Sequence, residues 1–285
     1  NTVSGNNSVL VGGSGNKIFG DEIVLIGGKS NTASGKFVNL FAGENNNITG
    51  IASTIVAGRQ NDILNSDDCS IGAGLHNDLI DSDTSSINAG NNNEINNSID
   101  SSVAAGESND ITGSQRSLIG AGNNNLLSGS SDSSVNAGVD NKLETSNKSL
   151  ISVGSGNLIT GSESSAIIGG DDNKINNSTT SIMGAGSGNL IKDSTGSALV
   201  GGRDNIISGV ESSLVGGVSN KISGDRSVLV GGSGNSVFGD EIVLVGGKNN
   251  TASGKFVTLF AGEDNNVTGI ASTIVAGRKN NIDNS

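Results

Sequence analysis

Ser101-Ser102-Val103-Ala104-Ala105-Gly106-Glu107-Ser108-Asn109-Asp110-Ile111-Thr112-Gly113-Ser114-Gln115-Arg116 is followed at once by a second segment of the same design, Ser117-Leu118-Ile119-Gly120-Ala121-Gly122-Asn123-Asn124-Asn125-Leu126-Leu127-Ser128-Gly129. Both read S-x-φ-x-[GA]-G-x-x-N-x-φ-x-[GN], with φ apolar. Alternation around each apolar site is the period-two signal of a short strand, and the Gly and Asn between the two sites are turn residues that tolerate positive φ. A fixed repeat of this length signifies a solenoid.

Extended outward, the pattern gives eighteen coils of 15 or 16 residues. They begin at Ser8, Ile23, Val38, Ser53, Cys69, Ser85, Ser101, Ser117, Ser133, Ser149, Ser165, Ser181, Ser197, Ser212, Ser227, Ile242, Val257 and Ser272. Residues 1–7 read as the tail of an earlier coil, and one residue is added in the last turn of coils four to twelve. The expected fold is therefore all-β, a single-stranded β-solenoid (β-roll) with two short parallel sheets across a thin core. At about 4.8 Å per coil the rod would be on the order of 85 Å long.

Positions three (Leu10 to Ile274) and eleven (Ile18 to Ile282) are always apolar and should face inward. Position nine is Asn in every coil: Asn16, Asn31, Asn46, Asn61, Asn77, Asn93, Asn109, Asn125, Asn141, Asn157, Asn173, Asn189, Asn205, Asn220, Asn235, Asn250, Asn265 and Asn280. An inward ladder, hydrogen-bonded along the axis, accounts for this better than eighteen ligand sites do. Position six is always Gly, where the chain must turn a tight corner, and position one is mostly Ser, a candidate second polar ladder.

A longer period sits above the coil. The stretch from Ser8 to Ile63 reappears almost letter for letter from Ser227 to Ile282, a spacing of 219 residues. We expect one continuous solenoid over 1–285, residues 8–226 forming one block and 227–285 the start of the next, as part of a longer tandem array.

Composition narrows the function. The 285 residues include 45 Gly, one Cys, one His and no Pro, Trp or Tyr, with 33% apolar and 15% charged residues. A net charge of −12 without a basic cluster disfavours nucleic acid and anionic membranes. No apolar run is long enough for a membrane span, and no signal segment is recognisable. His76 falls at a turn and Cys69 at an inward position one, so no nucleophile–base–orienter set can be assembled. Gly12-Gly13-Ser14-Gly15-Asn16-Lys17-Ile18 misses the calcium nonapeptide, because Lys17 stands where the carboxylate ligand belongs. No catalytic residue, cofactor or metal is implied. Eight Asn-x-Ser/Thr sequons (Asn6, Asn47, Asn96, Asn147, Asn176, Asn177, Asn249, Asn266) are potential glycan acceptors in a secreted eukaryotic chain.

Positions two and four should face outward, and they carry the candidate assembly face: Val9, Val11, Val24, Ile26, Phe41, Val56, Val215, Val228, Val230, Val243, Val245, Phe260 and Val275. Between these stretches the pair turns polar or small, as in Ser70/Gly72 and Ser134/Asn136. The outward residues of the second strand are irregular and mostly hydrophilic, so that face is expected to be merely solvated.

At the coil level Asn1-Thr2-Val3-Ser4-Gly5-Asn6-Asn7-Ser8-Val9 resembles the NxVxG repeats of the grass ice-binding β-solenoids. Ile23-Val24-Leu25-Ile26-Gly27-Gly28-Lys29-Ser30-Asn31-Thr32-Ala33-Ser34-Gly35 resembles the SVAIGxxSxASG coils of YadA-like adhesin heads. The resemblances imply a β-roll, and either an ice-binding face or a trimeric bacterial surface adhesin. The coils here are longer than in those families, and the 219-residue block is foreign to both.

The expectation is a non-catalytic structural protein, extracellular or on the cell surface, forming a filament, fibre or adhesin rod. It would self-associate with identical rods laterally and end to end, with a surface or glycan as a further target. The alternative is ice binding, which calls for a long outward Thr ladder, whereas only Thr54, Thr258 and Thr273 occur at position two. A solenoid enzyme would need a carboxylate cluster on one face.

Overall fold

In a computed structural model, which describes residues 1–283, the chain forms 37 short strands and, among the described residues, no helix. It is a parallel β-solenoid. The chain falls into two compact units, Asn1–Glu144 and Thr145–Ser285.

In the first unit, strands at positions two to four stack as sheet I, from Val9–Val11 to Ser134–Val135. Those at positions ten to twelve stack as sheet II, from Thr2–Ser4 to Lys142–Glu144. Stacking is parallel and in register, Leu10 beside Leu25 beside Leu40 in sheet I and Ile18 beside Ala33 beside Ile48 in sheet II. Residues 1–4 supply the sheet II strand of the coil that precedes the eighteen. The second unit repeats the arrangement, sheet I from Leu150–Ile151 to Thr273–Ile274 and sheet II from Leu158–Thr160 to Asn281–Ile282. Within each unit a third column of single parallel bridges runs at position seven, as in Ser14, Lys29, Glu44 and Arg59.

The core is thin. Position three from Leu25 to Ile274 and position eleven from Ile18 to Val267 are buried, as the sequence pattern requires. In most coils two inward apolar side chains leave a remainder that is polar, while Ile23, Val38, Ile242 and Val257 add a third at position one. Asn16 through Asn265, at position nine, are buried with them.

The bonds of Asn109 illustrate the ladder. Asn109 Oδ1 accepts the backbone N–H of Asn125 at 3.2 Å and its Nδ2 at 3.0 Å. Asn109 Nδ2 donates to Asn93 Oδ1 at 3.0 Å, to Ala105 O at 3.3 Å and to Gly122 O at 3.0 Å. The amide thus satisfies a backbone donor of one neighbouring coil and a carbonyl of the corner. Among the described residues no buried side-chain polar atom lacks a partner, which is the condition for a polar core to be tolerated.

Glycine at position six is explained by the same bonds. Gly106 has φ +114, and a Cβ there would overlap both Gly122 O and Asn109 Nδ2. The missing side chain makes room for the Asn amide as well as permitting the corner.

Position one forms the second polar ladder: Ser101 N–H donates to Ser85 Oγ at 3.1 Å, and Ser85 Oγ donates to Ser98 O at 2.9 Å. A third ladder accompanies the added residue of the 16-residue coils. Ser66, Ser82, Ser98 and Ser114 turn inward and link as Ser82 N–H to Ser66 Oγ at 2.9 Å and Ser98 N–H to Ser82 Oγ at 3.1 Å. In 15-residue coils the equivalent residue is Gly, and a Cβ at Gly20 or Gly35 would overlap the carbonyl of the next coil. The extra residue widens that corner enough for a hydroxyl.

Every coil also places left-handed residues at position eight and at its last position, among them Asn92, Asn124, Asp68 and Asp132. These demands explain the Asn, Asp and Gly content. Backbone N–H groups around the coil bond to neighbouring coils, so proline, which lacks that donor, has no place.

Candidate functional surfaces

His76 is exposed, in the left-handed region at φ +54. Cys69 is buried, its Sγ lying 2.6 Å from Ser82 O and 3.3 Å from Asp67 O. Burial, with Asp83, Asp67 and Asp68 nearby, pushes its thiol up to about 11 against a backbone hydrogen bond from Ser85. It takes over the hydrogen bonds of a position-one Ser and presents no thiolate. Among the described residues no three His, Cys, Asp or Glu side chains converge as a metal site, and no helix is long and apolar enough to cross a membrane.

The surfaces are more informative. On sheet I of the first unit, Val11, Ile26, Phe41 and Val56 succeed one another at position four, beside Val9 and Val24 at position two. Val9, Val11, Ile26, Phe41 and Val56 are exposed, and Val24 is half-buried.

In the second unit the column is longer than the sequence reading named. Val200, Val215, Val230, Val245 and Phe260 lie in register, Val275 follows in the next coil, and Val228 and Val243 run alongside. Val200 is 53% exposed, Phe260 44% and Val275 69%. Ile168 and Ile182 extend the exposed set.

Sheet II is less bland than its sequence suggested. In the first unit Asp62, Asp78, Glu94 and Asp110 stand directly beside one another at position ten of four successive coils. Burial, then repulsion from Asp62 and Glu94, pushes the Asp78 carboxyl up to about 6, against the pull of His76 and a backbone hydrogen bond. Burial is also the main cause that raises Asp62 and Asp110. This stack escapes a linear reading because its members lie 16 residues apart.

No known protein family matches this sequence, and no curated protein does. Among solved structures the chain is similar to an acetyltransferase from Desulfovibrio desulfuricans G20, at 9% identity and a TM-score of 0.16 over 82% of this chain and 63% of that one. The chain thus spans less than two thirds of that acetyltransferase. It is similar as well to the polysialic acid O-acetyltransferase OatWY, at 9% identity and a TM-score of 0.08 over 86% and 83% of the two chains. Superpositions this poor carry no argument about function. What the coordinates define is the class, a parallel β-solenoid of about nineteen coils with an asparagine ladder.

Proposed function

We propose that this chain is a non-catalytic structural repeat protein that builds an extracellular filament, fibre or adhesin rod by lateral association of sheet I faces. The observation that carries this reading is the outward column Val200-Val215-Val230-Val245-Phe260-Val275, six successive coils of apolar side chains on one sheet face, all exposed but the half-buried Val245. A contiguous exposed apolar strip marks an interaction surface, and two such faces can interdigitate as a dry interface. Each half-exposed Val gains about 1 kcal/mol on burial, so one strip yields roughly 6 kcal/mol, near the lower estimates of the cost of association. A single contact is therefore marginal, and the second strip on the same chain, Val11-Ile26-Phe41-Val56, makes association multivalent.

Sedimentation equilibrium of the chain at tens of micromolar tests this. At 500 mM NaCl wild type should associate, and the isosteric triple variant Val215→Thr/Val230→Thr/Val245→Thr should be monomeric. A monodisperse wild type, or a triple variant that associates equally well, overturns the reading. Thr258 and Thr273 are adjacent on the same face, and they favour ice as the alternative target. Thermal hysteresis or inhibition of ice recrystallisation by the chain would shift the assignment there.

A further inference from the structure

We propose that the sheet II face of the first unit docks against the sheet II face of the second unit of another copy of this chain. The inference extends the self-assembly reading but uses the opposite sheet, with charge in place of an apolar strip.

In the first unit the row Asp62-Asp78-Glu94-Asp110 is bordered at position twelve by Leu64 and Ile80. Like charges directly beside one another in a sheet are destabilising. Among the described residues none of the four meets a Lys or Arg within ion-pair distance. Burial raises the pKa of Asp62, Asp78 and Asp110, and repulsion within the row adds to it at Asp78 and Asp110.

The second unit carries the complement. Lys174, Leu190, Ile206 and Lys221 lie in register at position ten, with Lys192 beside them at position twelve. None of these three lysines is in an ion pair among the described residues; Lys221 lies 5.4 Å from the centre of the Phe238 ring. A depression of about 540 Å³ opens here, lined by Asp172, Lys174, Gly188, Leu190, Asp204 and Ile206 among others. Asp204 is within 3.6 Å of Arg203.

The two rows match in length and chemistry. Asp62 to Asp110 and Lys174 to Lys221 each span three coil steps, about 14 Å at sheet spacing. Leu64 and Ile80 border one row, and Leu190 and Ile206 interrupt the other. The wider charge balance agrees: residues 1–144 hold 6 Lys and Arg against 16 Asp and Glu, a net −10, while residues 145–285 hold 10 against 12, a net −2. Because the two faces differ, the contact is heterologous. A docked pair leaves one face of each kind free to take a further copy.

Sedimentation velocity of the full chain at low and high salt, with two charge-reversed variants, tests the contact. Both substitutions use residues already found at position ten, where Lys142 and Glu94 stand. Wild-type association should weaken about tenfold from 20 mM to 500 mM NaCl as the charges are screened. Asp78→Lys/Glu94→Lys alone, and Lys174→Glu/Lys221→Glu alone, should each lose this salt-sensitive component. An equimolar mixture of the two should regain it, because the acidic second-unit face of one now meets the basic first-unit face of the other. Salt-independent association, or a mixture no better than its parts, overturns the proposal. The sheet I triple variant should keep the salt-sensitive component, so failure of that contact and failure of this one give different results. If a reversed variant melts earlier by circular dichroism, the neutral pairs Asp78→Asn/Glu94→Gln and Lys174→Gln/Lys221→Gln replace it, each expected to lower the salt dependence.

Discussion

Deleting one amide from the asparagine ladder should be costly out of proportion to its size. In Asn109→Ala the buried N–H of Asn125 loses its only side-chain acceptor, Asn109 Oδ1 at 3.2 Å. The Asn125 amide fares better, since Nδ2 keeps Ala121 O at 3.4 Å and Gly138 O at 2.9 Å. Asn93 Oδ1 likewise keeps the backbone N–H of residue 109, and Gly122 O keeps that of Glu107. One orphaned buried donor costs about 1–3 kcal/mol, and the vacated amide volume and lost Nδ2 bonds bring the expected loss to about 3 kcal/mol. Equilibrium urea unfolding measures it, followed by far-UV circular dichroism because the chain has no Trp or Tyr. Hydrogen exchange at the Asn125 amide localises it to the neighbouring coils. The exposed Asn136→Ala serves as the control, with an expected change below about 0.5 kcal/mol. Asn109→Asp keeps the shape and the acceptor but loses the Nδ2 donor, so at neutral pH it should cost at least as much as Ala. A loss under 1 kcal/mol for Asn109→Ala, or an Asp variant as stable as wild type, would refute the ladder as the source of core stability.

Three further outcomes are expected. Gly106→Ala should lose about 3 kcal/mol or more, since φ +114 and the occupied space both exclude a Cβ, whereas Gly113→Ala, at φ +59 with nothing nearby, should lose about 1 kcal/mol; thermal melts of the two compare them directly. Asp78 titrates at about 6 in the folded state, above its unfolded value of about 3.9, so the folded chain binds more protons between those pH values and stability falls as pH rises from 4 to 6; Asp78→Asn should raise the urea midpoint at pH 7.5 and leave it unchanged near pH 3.5. Cys69, buried with its thiol pushed up to about 11, should react with a thiol reagent at pH 8 at least about 100-fold more slowly in the native chain than in urea, and fast native labelling would show that the coil around it opens.

Much of this fold is present in one dimension because each coil repeats the same spatial problem. The period of 15 or 16, the inward apolar positions, the ladder from Asn16 to Asn280 and the outward pair on sheet I all follow from strand alternation and turn chemistry. Those rules act within a single coil, and that is why linear pattern suffices for them. The tertiary structure decided what depends on the neighbouring coil. It showed that Gly at position six makes room for an Asn amide, and that the sixteenth residue lets Ser66, Ser82, Ser98 and Ser114 replace glycine in a third ladder. It also placed Asp62, Asp78, Glu94 and Asp110 side by side and extended the apolar column to Val200. These are contacts between residues one full coil apart, and only the stacking register brings them within hydrogen-bonding or Coulomb range.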